Sequence, residues 1–268
     1  MSKHPKILLA LAIAAIGLTC KKDSASPTLA NSNDCKITSI KHFSNDKFSF
    51  AHVLTYDEDK RLIKGSKKSA DFNLTYRSDK IILTDSDGAQ IELTLENGKV
   101  ARADHSEEHY ETYHYNTEGY LTQIKHFYSD TEFDVTDITY SGGNISKVAK
   151  LAFDEARTVI TYEYSTELAS STLFIADPLY SDLINHFLPG IPFGKQSKNL
   201  KVKSIETFIE NDPINISQSE EVAHFTYAKD VAGRYSKVVT KFEGTFSSGD
   251  RKFTYSGTKK NEISYACE

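Results

Sequence analysis

Apolar and polar residues alternate in a unit that repeats along much of the chain. Each copy is an alternating stretch ending in an aromatic residue or Leu, then a short polar turn, then an aliphatic residue. Alternation with a period of two predicts a β-strand with one buried face. The strand-ending residues recur about every 20 to 25 positions, and such a period indicates a repeat architecture. They are Tyr56, Tyr76, Leu95, Tyr115, Tyr140 and Tyr164.

The turns between these stretches carry the residues that tight hairpins need. Asp87-Gly88, Asn97-Gly98 and Gly142-Gly143 tolerate positive φ angles. About twelve or more strands joined by such short turns must be mostly antiparallel, because parallel pairs need long crossovers. The sequence therefore predicts an all-β domain over residues 34–268. We expect an antiparallel β-meander curled into an open or closed barrel-like sheet.

The strand pattern breaks once, near residues 178–188, where a short helix is predicted. Asp177 is a helix N-cap, Pro178 suits the first helical position, and Pro189-Gly190 ends the helix. We expect this helix and the apolar connection after it to cap an open end of the sheet. The alternative is a ligand lid or pocket. Its residues would be Tyr180, Phe187 and Phe193.

The N-terminus has the features of an export signal. Lys3 and Lys6 precede an apolar run over residues 7–18 that is too short for a membrane-spanning helix. The run stops at Cys20 and resembles the lipobox of bacterial lipoproteins, although residues 17–19 depart from the usual pattern. The resemblance implies a signal peptide over residues 1–19, an acylated Cys20 and a flexible tether over residues 20–33. An ordinary cleaved signal that leaves a soluble periplasmic protein is the alternative.

Two further cysteines stand at the start and the end of the predicted domain. Cys35 and Cys267 would meet an oxidising compartment after export, where disulfides persist. A bridge requires their Cα atoms to lie within about 7 Å, so the first and last strands would be neighbours. The alternative is two buried free thiols.

Charge narrows the classes of partner. Without residues 1–19 the chain keeps 30 basic and 37 acidic side chains. A net negative domain without a basic stripe predicts no nucleic-acid partner. It also predicts that membrane contact comes from the lipid anchor.

One motif suggests metal chemistry. His105-Ser-Glu-Glu108-His109 matches the H-x-x-E-H zinc pattern, with His105 and His109 as candidate ligands. The motif lies between predicted strands, where a solvated hairpin loop is the alternative to a zinc-binding helix. The acidic turn around Asp87 matches only part of a calcium loop. With no dinucleotide, phosphate-loop or nucleophile-elbow motif, no cofactor is predicted.

The repeated units carry a resemblance to known families. Tyr56 to Leu62 and Tyr115 to Leu121 resemble the Tyr-Asp-x-x-Gly-Arg-Leu unit of YD (RHS-type) repeats. Residues 35–265 resemble the Bacteroidota lipoproteins of domain-of-unknown-function family 4595. That resemblance implies a curled, porin-like antiparallel sheet without an assigned activity.

Anchor, repeat and missing catalytic motif together favour a non-enzymatic envelope lipoprotein at the outer membrane. It would be structural or would bind a small-molecule, glycan or protein partner. The alternative is an envelope or glycan hydrolase with a carboxylate pair that cannot be seen in sequence.

Overall fold

A computed structural model describes residues 35–67, 70–129, 131–169, 191–211 and 216–267. These residues form sixteen strands joined in one closed antiparallel barrel, in which every strand pairs with its neighbours in sequence. The strands are β1 (Cys35–Ser44), β2 (Lys47–Tyr56), β3 (Leu62–Lys67), β4 (Ala70–Tyr76), β5 (Lys80–Asp85), β6 (Gln90–Glu96), β7 (Lys99–Asp104), β8 (Tyr110–Tyr115), β9 (Leu121–Phe127), β10 (Phe133–Ser141), β11 (Asn144–Leu151), β12 (Arg157–Leu168), β13 (Asn199–Asn211), β14 (Ile216–Lys229), β15 (Tyr235–Ser248) and β16 (Arg251–Cys267).

The predicted all-β antiparallel meander is confirmed, and of the two predicted alternatives, an open or a closed sheet, the structure has the closed one. No helix occurs among the described ranges, and the helix predicted near residues 178–188 lies outside them. No described helix could therefore cross a bilayer.

Closure joins β1 to β16, and a disulfide fixes this seam. Cys35 and Cys267 are directly opposite in the β1–β16 register, with Cα atoms 4.0 Å apart, and their sulfurs are bonded. The predicted bridge and the predicted contact between first and last strands are both confirmed.

The inward faces of the strands form one apolar core. Leu62, Ile81, Leu93 and Val100 are at most 1% exposed. Residues next to these point outward, as alternation along a strand requires, and several are polar, such as Lys80 and Glu92. Ion pairs cross the outer face, including Lys80–Glu92 at 2.8 Å. Others are Lys64–Asp71 and Lys203–Glu163.

Six tyrosines at the ends of even-numbered strands form a belt around one end of the barrel. Each hydroxyl donates a hydrogen bond of 2.6–2.9 Å to a carbonyl near the start of the preceding strand, so the belt ties strands together in pairs. This regular bonding explains the recurrence of four strand-ending residues of the sequence pattern, Tyr56, Tyr76, Tyr115 and Tyr140. The tyrosine belt consists of Tyr56, Tyr76, Tyr115, Tyr140, Tyr227 and Tyr265.

The turns after several belt tyrosines share one geometry. The Asp57 carboxylate accepts from the backbone N–H of Arg61 at 2.8 Å, and the Asn116 side chain binds the N–H of Tyr120 in the same way. The fourth residue of each turn has positive φ, +62° at Lys60 and +87° at Gly119. The turn chemistry of Asp and Gly therefore builds the repeat.

A strap of residues 191–198 crosses the belt end of the barrel. Its backbone bonds in turn to Val100, Gly119 and Gly143, at about 3.0 Å each. Gly194 has a φ of +86°, and a Cβ there would lie 2.7 Å from the Gly119 carbonyl, so glycine is required at this crossing.

Candidate functional site

Polar side chains meet inside the barrel between the β7–β8 turn and the apolar side chains under the strap. On β8, alternation turns Glu111 and Tyr113 inward, and both are buried. His126 on β9 lies directly opposite Glu111 in the strand register. His105 follows the last residue of β7. These four residues are called the buried polar cluster below.

The Glu111 carboxylate is the centre of this cluster and is 0% exposed. His126 Nδ1 lies 3.2 Å from one carboxylate oxygen, and His105 Nε2 lies 4.0 Å from the other. The Tyr113 hydroxyl donates to the same carboxylate. A carboxylate taken out of water needs such partners, because an isolated buried charge is strongly unfavourable. The cluster therefore surrounds the buried Glu111 carboxylate with a hydroxyl donor and two imidazole rings.

A second buried carboxylate lies beside the first. Asp134 is 3% exposed, accepts from Lys150 Nζ at 2.8 Å and from the Tyr128 hydroxyl at 3.0 Å, and binds the backbone N–H of Phe153 at 3.1 Å. The ring of Tyr128 stacks on His126, with centroids 4.5 Å apart. The two carboxylates thus belong to one continuous polar region across β7–β10.

The predicted zinc motif lies in the loop between β7 and β8. Residues 105–109 form a hairpin connection, closed by a hydrogen bond from His105 N to the His109 carbonyl at 3.0 Å. His105 joins the buried polar cluster, whereas the His109 ring packs edge-on against Tyr128. Among the described residues, no three His, Cys, Asp or Glu side chains are arranged to hold a metal ion.

The remaining predicted residues divide into two groups. Cys20, Tyr180 and Phe187 lie outside the described residues. Phe193, in the strap, is 7% exposed and packs on the Tyr113 ring at 5.1 Å between centroids. Phe193 therefore fills the belt end of the core.

A groove of about 480 Å³ opens on the long strands β14–β16. Its size falls in the range of small-ligand sites. Most of the side chains around it are small or carry a hydroxyl, and two carboxylates, Glu220 and Glu243, complete it. The others are Val222, Gly244, Thr245, Thr254, Tyr255 and Ser256.

The opposite face of these strands is also acidic. Glu206 on β13 and Glu221 on β14 are directly opposite in register. Burial, and then the charge of Glu221, raise the pKa of Glu206, while Lys259 opposes the shift. Burial and Glu221 likewise raise the pKa of Tyr255.

Glu111, His126 and Asp134 belong to no motif that predicts a site from the sequence. Strand alternation alone could have placed two of them on the inward face. Glu111 stands two positions before the inward Tyr113, and Asp134 stands four positions before the inward Ile138. A further copy of the repeat turn, not predicted from the sequence, occurs at Asp230 to Arg234, where the Asp230 carboxylate accepts from the Arg234 backbone N–H at 3.0 Å.

No family model and no curated protein matches the sequence. Among solved structures, the chain is similar to a porin-like protein from Bacteroides uniformis, with a TM-score of 0.60 and 17% identity. The match covers 85% of this chain and 98% of the other. This likeness agrees with the closed antiparallel β-barrel described above and concerns the fold alone.

Proposed function

We propose that the protein is a non-enzymatic envelope lipoprotein, held at the outer membrane by an acylated Cys20. In this proposal the barrel is a water-exposed body that binds a partner, and the groove on β14–β16 is its contact region.

The polarity of the barrel is the observation that carries the proposal. A barrel that crosses an outer membrane has an apolar outward band and a polar interior. Here the interior is mainly an apolar core, apart from the polar region around Glu111 and Asp134, and ion pairs such as Lys80–Glu92 and Lys203–Glu163 lie on the outside. Such an exterior suits water, so membrane attachment would have to come from an anchor.

Membership of the lipoprotein family 4595 is part of the same proposal. The fold likeness to a porin-like protein supports it, as does the repeated Tyr-Asp turn geometry. An export signal that ends at Cys20 supports the lipid anchor.

The anchor can be tested by membrane fractionation of cells producing the full chain. The native protein should sediment with membranes, resist alkaline carbonate and incorporate labelled palmitate. Cys20→Ser should move into the soluble fraction without label, whereas the control Ser26→Ala should behave like the native chain. Retention of Cys20→Ser in carbonate-washed membranes would argue for insertion of the barrel itself.

A hydrolase is the second candidate, favoured by the convergence of Glu111 with His126. The full burial of Glu111 opposes it, because a substrate must reach a catalytic group. Hydrolysis of an envelope polysaccharide that disappears in Glu111→Gln, with the fold retained, would establish this alternative.

A further inference from the structure

One strand of the barrel keeps an edge without a neighbouring strand. β16 pairs with β15 from Arg251 onward, but its pairing with β1 begins only at Lys259. The β1–β2 turn reaches one residue further, because Asn45 exchanges hydrogen bonds with the backbone of Thr258 at 2.8 and 2.9 Å. Within the described part of the chain, residues 251–257 therefore pair on the β15 side alone. They are called the β16 edge below.

The alternation of an antiparallel ladder shows which backbone groups face the open side. Both the N–H and the carbonyl of Thr258 point toward the β1 side, where they bind Asn45. Successive residues of a strand point their backbone groups in opposite directions. Lys252, Thr254 and Ser256 therefore present their N–H and C=O groups to the open side.

The β16 edge has the composition of a strand that can accept another strand. It contains Phe253, Thr254 and Tyr255, which favour strands, it has no Pro to block pairing, and its two charged residues, Arg251 and Lys252, stand at its start. Phe253 is 54% exposed and Tyr255 is 38% exposed. An open edge of this kind is a template for an added strand.

The groove lies next to this edge, and its two carboxylates favour a positively charged side chain on a partner. Thr254 and Ser256 form its wall nearest the open side, and Glu243 and Glu220 stand on the next two strands. No ion pair of either carboxylate occurs within the described ranges. Since adjacent strands are about 4.8 Å apart, an added strand would lie about 10 Å from β15. A Lys or Arg side chain on the outward face of the added strand can extend across Thr254 and Ser256 and meet the Glu243 carboxylate, and the two side chains together span this distance.

We propose that the β16 edge binds an extended segment of a partner protein as an additional strand. The segment carries a Lys or Arg that enters the groove toward Glu243, and β-branched residues that cover Phe253 and Tyr255. This inference rests on the partner-binding part of the proposed function and names the partner's chemistry.

The test uses the purified full chain and capped, fluorescein-labelled peptides in an anisotropy titration. The probe is Val-Thr-Val-Lys-Val-Thr-Val, and its counterpart has Glu in place of Lys. We expect the Lys peptide to bind at least about ten-fold more tightly than the Glu peptide, with a preference that weakens as salt rises.

Proline variants test whether the backbone of the edge is the contact. Thr254→Pro and Ser256→Pro each remove an N–H from the open side and leave the β15 ladder intact. Each should weaken Lys-peptide binding about ten-fold or more. Glu243→Lys should reverse the preference toward the Glu peptide. The control Val231→Ala, in a fully exposed turn at the belt end, should bind like the native chain.

Thermal melting shows which variants are folded. If neither proline variant folds, the reversal of peptide preference in Glu243→Lys is the test of the proposal. The proposal is overturned if the Lys peptide gives no saturable binding, if the two peptides bind equally, or if folded proline variants bind normally. Since Cys20 is far in sequence from this edge, loss of peptide binding with normal membrane fractionation would overturn this inference and leave the lipid-anchor proposal standing.

Discussion

At the scale of single residues, the turn after Tyr56 contains a strained backbone conformation at Lys60. Lys60 has a φ of +62° at the turn position where Gly119 and Gly233 have +87° and +80°. A residue with a Cβ is disfavoured there by steric contact with its own backbone, and glycine is not. The identity of this turn residue is therefore a local stability determinant.

Lys60→Gly should stabilise the barrel by about 0.5 to 1 kcal/mol, since relief of the left-handed strain exceeds the extra entropy lost by glycine. Urea denaturation of both proteins measures the difference. Glu58→Gly, in the same turn at a residue without positive φ, is the matched control and should give no gain. Equal stabilisation by both variants would mean that strain at Lys60 is not the cause.

Glu206 gives a second prediction at this scale. Its pKa is raised above the usual value by burial and by Glu221, so the folded state favours the protonated form. The stabilisation from that proton is fully present below the unfolded pKa near 4.5 and is lost as pH rises through the folded pKa.

Glu206→Gln should accordingly melt at a higher temperature than the native protein at pH 7, and the difference should shrink toward pH 4. Thermal melting across that range measures it. Glu210→Gln, four residues along the same strand, tests whether any lost carboxylate has this effect. A stabilisation of Glu206→Gln that does not change with pH would exclude titration as its source.

At the scale of strands and turns, the tyrosine belt links neighbouring strands at one end of the closed sheet. Each belt hydroxyl binds a carbonyl of the preceding strand, which fixes the two strands to each other. Burial, with a smaller effect of Tyr76, raises the pKa of Tyr56 to about 12. The Tyr56 hydroxyl is therefore neutral and can donate its hydrogen bond at physiological pH.

Tyr56→Phe should lower stability by about 1 kcal/mol at pH 8, because the Ile37 carbonyl loses its donor. The stabilising contribution of the raised Tyr56 pKa is complete below pH 10 and is lost as pH rises through about 12. The deficit of Tyr56→Phe should therefore narrow between pH 10 and pH 12 in urea titrations. Tyr110→Phe, on a ring outside the belt, should change stability little in the same window.

At the scale of the whole molecule, closure brings residues together that are 232 positions apart, and the Cys35–Cys267 bond holds them. A cross-link over so long a segment stabilises mainly by restricting the unfolded chain. The bond therefore protects the seam at which a curled sheet would otherwise open.

The double variant Cys35→Ser/Cys267→Ser should be less stable by about 5 kcal/mol, the value expected from chain entropy for a loop of this size. Urea denaturation with and without reductant measures the loss. Reductant should destabilise the native protein and leave the double variant unchanged. If reductant leaves the native denaturation midpoint unaltered, the bond does not contribute as proposed.

The sequence alone determined the strand class and the repeat. These features follow from short-range rules: alternation fixes which face is buried, and Asp and Gly fix the turns. Four of the six belt tyrosines, Tyr56, Tyr76, Tyr115 and Tyr140, were visible as a period for the same reason, since each one closes a local pair of strands. The two cysteines predicted that the first and last strands are neighbours, and the structure decided between a bridge and two free thiols.

Only the tertiary structure decided which polar residues meet. Glu111 and His126 are fifteen positions apart and become neighbours through the β8–β9 register, while β14, β15 and β16 must lie side by side before Glu243 faces a groove. The open edge of β16 likewise results from the stagger of the strands, because β16 begins at Arg251 but pairs with β1 only from Lys259 onward. Contacts of this kind depend on the closure of the whole barrel, and no local pattern encodes them.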